Sequence, residues 1–208
     1  MVRNLLIALA VAGAATPLAA APLNVRVVDA SGHPVRDAVV TVYPSGAAAR
    51  PAHAAGRYAV AQQNLQFRPF VTVVPVGADV SFPNFDPTKH HVYSFSAAKK
   101  FELKLFARDQ SRTVHFDRPG VVALGCNIHD QMSAFIFVTD TAWTARTNAQ
   151  GVASFADAPN APARVAVWHP YLRAPGGQVE QAIAASQHSM SFQVRLRPPP
   201  PAMAMTDY

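Results

Sequence analysis

Cys126, His129 and Met132 follow one another at three-residue intervals in Gly125-Cys126-Asn127-Ile128-His129-Asp130-Gln131-Met132, so that a thiolate, an imidazole and a thioether occur in one short loop. Cys126 is the single cysteine of the chain, and with 8 His and 5 Met in 208 residues a histidine at +3 and a methionine at +6 would fall there by chance about once in a thousand. Two imidazoles and a thiolate in a trigonal plane, with a weak and long axial thioether, form the donor set that suits copper cycling between its +1 and +2 states. The loop supplies three of those four donors. The fourth must be a histidine from elsewhere in the chain.

Ser81-Phe82-Pro83-Asn84-Phe85-Asp86-Pro87-Thr88-Lys89-His90-His91-Val92-Tyr93-Ser94-Phe95-Ser96 offers two. An aromatic and β-branched run after a Pro/Asn/Asp turn reads as a strand. Adjacent residues of a strand point to opposite faces, so one of His90 and His91 reaches a metal and the other lies behind it or at the surface. The residues themselves leave that choice open. Asn84 and Asp86 stand close to the first ligand, where they either bond toward the ligand loop or form the turn before Pro87.

From about Gln62 to Asp140 the chain resembles the cupredoxins, specifically the plastocyanin and azurin family in its amicyanin-like short-loop form. It is similar to bacterial proteins labelled methylamine utilization protein through its HHVYSFS segment and its CNIHD-x-M loop. Phe67–Val80 matches the strand, turn and strand before the first ligand, and Val114–Leu124 the turn and buried strand that deliver the cysteine. The resemblance implies a Greek-key sandwich holding one mononuclear type 1 copper by His90, Cys126, His129 and Met132. Family members usually carry Asn after the ligand histidine; matching that pair selects His90 and puts His91 at the Asn position, so His91 remains the alternative. The ring edge of His129 is then the implied electron port.

Four protein ligands leave no vacant coordination position, unlike catalytic metal sites, so the expected role is single-electron transfer and not an enzymatic one. A Cys-His nucleophilic enzyme fits poorly, because a three-residue separation is too short and no third group orients the base. A binuclear copper centre needs a second cysteine. The competing reading keeps the same ligands in a more open site, as a copper-binding or copper-delivery protein without redox turnover.

Residues 1–20 read as a cleaved secretory signal peptide: Arg3, an apolar stretch from Leu5 to Ala15, then small residues from Ala19 to Ala21. The apolar core is too short for a stable membrane anchor, which places the mature chain in the periplasm. A lone cysteine there has no disulfide partner, and metal ligation would occupy it. The formal charge of +6 becomes +5 without Arg3, which favours acidic partners. The chain has no arginine-rich run and no nucleic-acid-binding motif, so nucleic acid is not the expected partner. Lys99, Lys100 and Lys104, with Lys89, suit the docking of an acidic redox protein or the guarding of a strand edge.

Two further stretches alternate apolar and polar residues around turns, Leu23–Tyr43 and Ala145–Trp168. Together they resemble the carboxypeptidase regulatory-like sandwich, a small prealbumin-like β-domain with D-x-x-G-x-P-V-x-x-A in its first hairpin and T-x-x-x-G later. The expected architecture is therefore all-β, with the cupredoxin sandwich at 58–140 inserted between a first part of the β-module at 21–57 and a second part at 141–197. A single elongated sandwich with extra strands is the other arrangement. Helical spacing occurs beyond the leader only as a trace at Gln178–Ser186, and 198–208 is a proline-rich extended tail.

Overall fold

The computed structural model describes residues 20–46 and 50–199. The leader up to residue 19 and the tail from residue 200 lie outside the described residues. Regular structure among the described residues is almost entirely β. In chain order the strands are β1 (Ala20–Asp29) and β2 (Val39–Pro44), then β3 (Tyr58–Ala59), β4 (Ala61–Gln62), β5 (Phe67–Arg68), β6 (Val71–Pro75), β7 (Ala78–Pro83), β8 (His90–Ser96), β9 (Lys99–Phe106), β10 (Ser111–Phe116), β11 (Gly120–Cys126) and β12 (Ser133–Thr139). After these come β13 (Thr144–Arg146), β14 (Val152–Pro159), β15 (Ala163–Trp168), β16 (Gln178–Ile183) and β17 (Ser189–Val194).

The period-2 pattern of the sequence decides which residues enter the two cores. In β1, Leu23, Val25 and Val27 are buried while Asn24 and Arg26 between them are exposed, as a half-buried strand requires. The first core gathers these with Val40 and Val42 of β2, Phe155 of β14, Val165 and Val167 of β15, and Phe192 of β17. Two sheets enclose it, in the orders β14-β1-β17 and β13-β2-β15-β16. The Gln178–Ser186 stretch is not helical: β16 pairs antiparallel with β15, from Ala163 opposite Ile183 to Trp168 opposite Gln178.

The second core shares no residue with the first. It contains Val80 and Phe82 of β7, Val92 of β8, Phe116 of β10, Val122, Leu124 and Cys126 of β11, and Ile136 of β12. Its sheets run β10-β7-β3 and β6-β12-β11-β8-β9. The chain enters and leaves this sandwich through two segments bonded to each other: the Ala52 amide donates to Asp140 O (3.1 Å) and the Ala142 amide to Arg50 O (3.0 Å).

The outer face of the five-stranded sheet is covered unevenly. Over β12, the Trp168 ring packs on Phe135 and Phe137 at centroid distances of 5.9 and 5.6 Å, and Tyr171 stacks on Phe70 at 5.9 Å. Arg146 adds a donor to Val71 O (3.0 Å) while pairing with Asp37 (2.9 Å). Over β8, by contrast, Phe95 is 79% exposed, beside Tyr93 at 5.2 Å.

Candidate metal centre

Strand β8 turns the two adjacent histidines to opposite faces. Burial alternates along it, with His90, Val92 and Ser94 directed inward. His90 is 0% exposed. His91 faces the other way, where its Nε2 meets Glu102 Oε1 of β9 at 2.8 Å. Strand β11 runs antiparallel to β8 and sets Cys126 opposite Val92, and the Asn127 amide donates to His91 O (3.1 Å). The cysteine thus emerges from the sheet beside His90. The chain then turns, the Met132 amide donates to His129 O (3.0 Å), and β12 begins at Ser133.

These constraints bring His90, Cys126 and His129 together. Cys126 Sγ lies 3.8 Å from His90 Nδ1 and 3.6 Å from His129 Nδ1. One donor atom from each of the three residues lies within 4.8 Å of the others. The imidazole rings are 4.9 Å apart at 59°. An ion about 2.0 Å from nitrogen and 2.3 Å from sulfur, with donors spread in a plane, separates sulfur from nitrogen by about 3.7 Å, so the spacing fits a trigonal ion of transition-metal size. A thiol and two imidazoles favour copper or zinc over the hard, oxygen-preferring cations. Met132 is 2% exposed and belongs to the same apolar cluster as Cys126, which leaves its thioether as the remaining candidate donor. No other group of three potential ligands occurs among the described residues.

Protonation suits ligation. Burial, followed by the nearby His90 ring, lowers the His129 pKa from its ordinary value, with Asp86 acting in the opposite direction. His129 is therefore neutral at pH 7 and its nitrogen lone pair is available. Burial pushes the Asp86 carboxyl up, but the Leu65 amide, the His90 ring and the Asn64 amide together outweigh it and hold the group below the usual carboxylate value. Asp86 is ionised.

Asp86 does more than shape a turn. Its Oδ2 lies 2.8 Å from His90 Nε2, on the ring edge away from the cysteine. It bonds the His90 ring and not the loop that carries Cys126 and His129. Asn84, 0% exposed, donates through Nδ2 to Thr88 O (2.8 Å) and Phe106 O (3.2 Å), and its Oδ1 accepts the Asp86 amide (2.9 Å). The segment carrying His90 is thereby tied to β9.

The remaining histidines stand apart from this cluster. His115 faces solvent with Asp79 at 2.8 Å, and His33 pairs with Asp29. His169 follows the end of β15, is 8% exposed, and accepts the Tyr171 amide at Nδ1 (3.2 Å). Sequence reasoning did not single out Gly125 and Tyr93. A Cβ at residue 125 would lie 2.7 Å from Tyr93 Cζ, so the tyrosine ring rests directly on the backbone beside Cys126.

No protein-family model and no curated protein matches the chain. Among solved structures, the copper-containing nitrite reductase from Thermus scotoductus SA-01 aligns at 23% identity and a TM-score of 0.40, over 47% of this chain and 25% of that chain. An M98A mutant of amicyanin in its Cu(I) state aligns at 18% and 0.37, over 48% of this chain and 99% of the other. A purple cupredoxin from Nitrosopumilus maritimus aligns at 18% and 0.36, over 39% and 99%. The chain spans a quarter of the nitrite reductase. At these levels of similarity, the case for the metal centre rests on the chain's own donor atoms, His90 Nδ1, Cys126 Sγ and His129 Nδ1.

Proposed function

We propose that this chain is an exported one-electron carrier that binds one mononuclear type 1 copper through His90, Cys126 and His129, with Met132 as the axial donor. The observation that carries the reading is the convergence of one sulfur and two ring nitrogens at 3.6 and 3.8 Å. Copper bound there would supply a Cu(I)/Cu(II) couple. The chain's own part is to hold the donors still. His90 and Cys126 project from paired strands, Met132 is anchored in the core, and the buried surroundings exclude water, so a change of charge at the site demands little rearrangement. A donor set filled by protein leaves no position for a substrate, which supports carriage of electrons over chemistry on a bound molecule.

The half-buried His129 is the expected electron port, next to Ile128, which is 46% exposed. Lys89, Lys100 and Lys104 are exposed and make no ion pair among the described residues, whereas Lys99 is engaged by Asp117 (3.0 Å). Free cations of this kind favour an acidic redox protein of the periplasm as partner. Export itself rests on the leader-like sequence of residues 1–20.

Electronic absorption and electron paramagnetic resonance of the Cu(II)-loaded protein test the reading. An intense blue colour with narrow copper hyperfine splitting is expected for wild type and His91→Ala, and its loss in Cys126→Ser and His90→Ala. A pale, tetragonal spectrum in wild type would reject electron transfer in favour of copper carriage.

A further inference from the structure

We infer that Asp86 is a positioning residue for this site: its carboxylate holds His90 as the Nε2–H tautomer and thereby leaves Nδ1 bare toward Cys126. The functional consequence rests on the copper reading, whereas the tautomer is a property of the metal-free chain.

The two nitrogens of His90 have different neighbours. Nε2 is 2.8 Å from Asp86 Oδ2, and Nδ1 is 3.8 Å from Cys126 Sγ. Both carboxyl oxygens already accept backbone amides and the imidazole is the stronger base of the pair, so the hydrogen in the short contact belongs to the imidazole. The opposite tautomer would set a nitrogen lone pair against a carboxylate oxygen, with the two side chains only 0% and 6% exposed. Buried acceptors facing each other without a hydrogen are strongly disfavoured.

The carboxylate is itself built into place. Asn64 donates its amide to Oδ1 (2.6 Å) and Leu65 its amide to Oδ2 (3.0 Å). Both residues have left-handed backbone, with φ of 56° and 53°. Positive φ at both residues is what the two-residue hairpin between β4 and β5 requires, closed by the Gln63 amide on Gln66 O (2.9 Å) and the Gln66 amide on Gln63 O (3.3 Å). It is disfavoured for leucine and persists where the surroundings enforce it. The turn that carries these amides donates to the carboxylate from one side, and the carboxylate's remaining edge addresses the ring of a candidate ligand. A residue that only formed the turn before Pro87 would not need the bond to His90.

A carboxylate behind a ligand imidazole also raises the basicity of the ring and favours the more highly charged metal state. Substitution should therefore shift the reduction potential upward.

Long-range 1H–15N correlation spectra of metal-free protein read the tautomer directly. Wild-type His90 is expected as Nε2–H. In Asp86→Asn, the side-chain oxygen keeps the shorter bond, that from the Asn64 amide (2.6 Å), and gives up that from Leu65; the nitrogen then replaces Oδ2, donates to Nε2 and drives the ring to Nδ1–H, which caps the ligating atom. Cu(II) affinity should then fall 10- to 100-fold. If the loss falls on Cu(II) alone, the potential rises by about 60 to 120 mV. A purely structural Asp86 would not switch the tautomer. Wild-type His90 found as Nδ1–H overturns the inference, and that measurement stands even if Asp86→Asn fails to fold. A folded Asp86→Asn that keeps both the Nε2–H tautomer and the wild-type potential overturns it as well. The expected tautomers in both proteins, with no Cu(II) affinity in wild type, support the positioning role and reject the copper reading instead.

Discussion

Replacing Gly125 by alanine should destabilise the metal-free protein, and the sign of the effect should reverse once Tyr93 is removed. Gly125 is the cross-strand partner of Tyr93 and the residue before Cys126. A Cβ there would meet Tyr93 Cζ at 2.7 Å and Oη at 2.8 Å, where ordinary contact begins at 3.4 Å, an overlap of about 0.7 Å. Overpacking of this kind costs about 1–3 kcal/mol. The half-buried Tyr93 ring can swing toward the open side of the sheet, which puts the cost in the lower half of that range. Gly125 does not need left-handed backbone, so alanine also restricts the unfolded chain and returns about 0.4–1 kcal/mol. The net expectation is a loss of about 1 kcal/mol. In a Tyr93→Ala background the overlap is gone, and Gly125→Ala should stabilise by about 0.5 kcal/mol, a coupling of about 1.5 kcal/mol. Urea unfolding of the four proteins, read at constant m, measures the cycle. Equal effects of Gly125→Ala in both backgrounds would refute the claim that Tyr93 occupies the space above this glycine.

Trp168→Ala removes the ring that covers Phe135 and Phe137, and should lower stability by about 3 kcal/mol, read as a drop in the urea midpoint. The pKa of His169 is lowered chiefly by burial, so the unfolded chain binds its proton more readily than the folded one. Stability from this residue is complete above the ordinary value of 6.5 and declines as pH falls below it. His169→Gln should flatten that decline in metal-free protein; an unchanged pH profile would contradict it.

What could be read from residues alone, and what could not, divides along physical lines. Strand alternation requires His90 and His91 to face opposite ways from their adjacency. Which one faces inward depends on Val92 and Ser94 entering the core with His90, and the residues flanking the pair do not settle that. Cys126, His129 and Met132 stand out because their spacing is local. Asp86 is picked out only by its nearness to His90: residue type allows a turn before Pro87 or a bond toward the ligand loop, and its hold on the His90 ring depends on amides at Asn64 and Leu65, more than twenty positions earlier. The Tyr93–Gly125 contact escapes notice for the same reason, since a glycine's lack of a side chain acquires meaning only once the opposing ring is known. The cover that Trp168 lays over β12 joins segments whose own patterns specify only that each is a strand.

The junction between the two sandwiches has a consequence of its own. Strand β2, which precedes the strands of the second core, and β13, which follows them, are antiparallel neighbours, with Thr41 opposite Thr144. The segments leading in and out are bonded to each other between Ala52 and Asp140 and between Ala142 and Arg50. The chain therefore crosses from the first core to the second and back through one paired doorway, with the outgoing and returning segments held together. The two crossings between the sandwiches thus run side by side, so a cut at either would leave its ends next to the other strand of the same doorway.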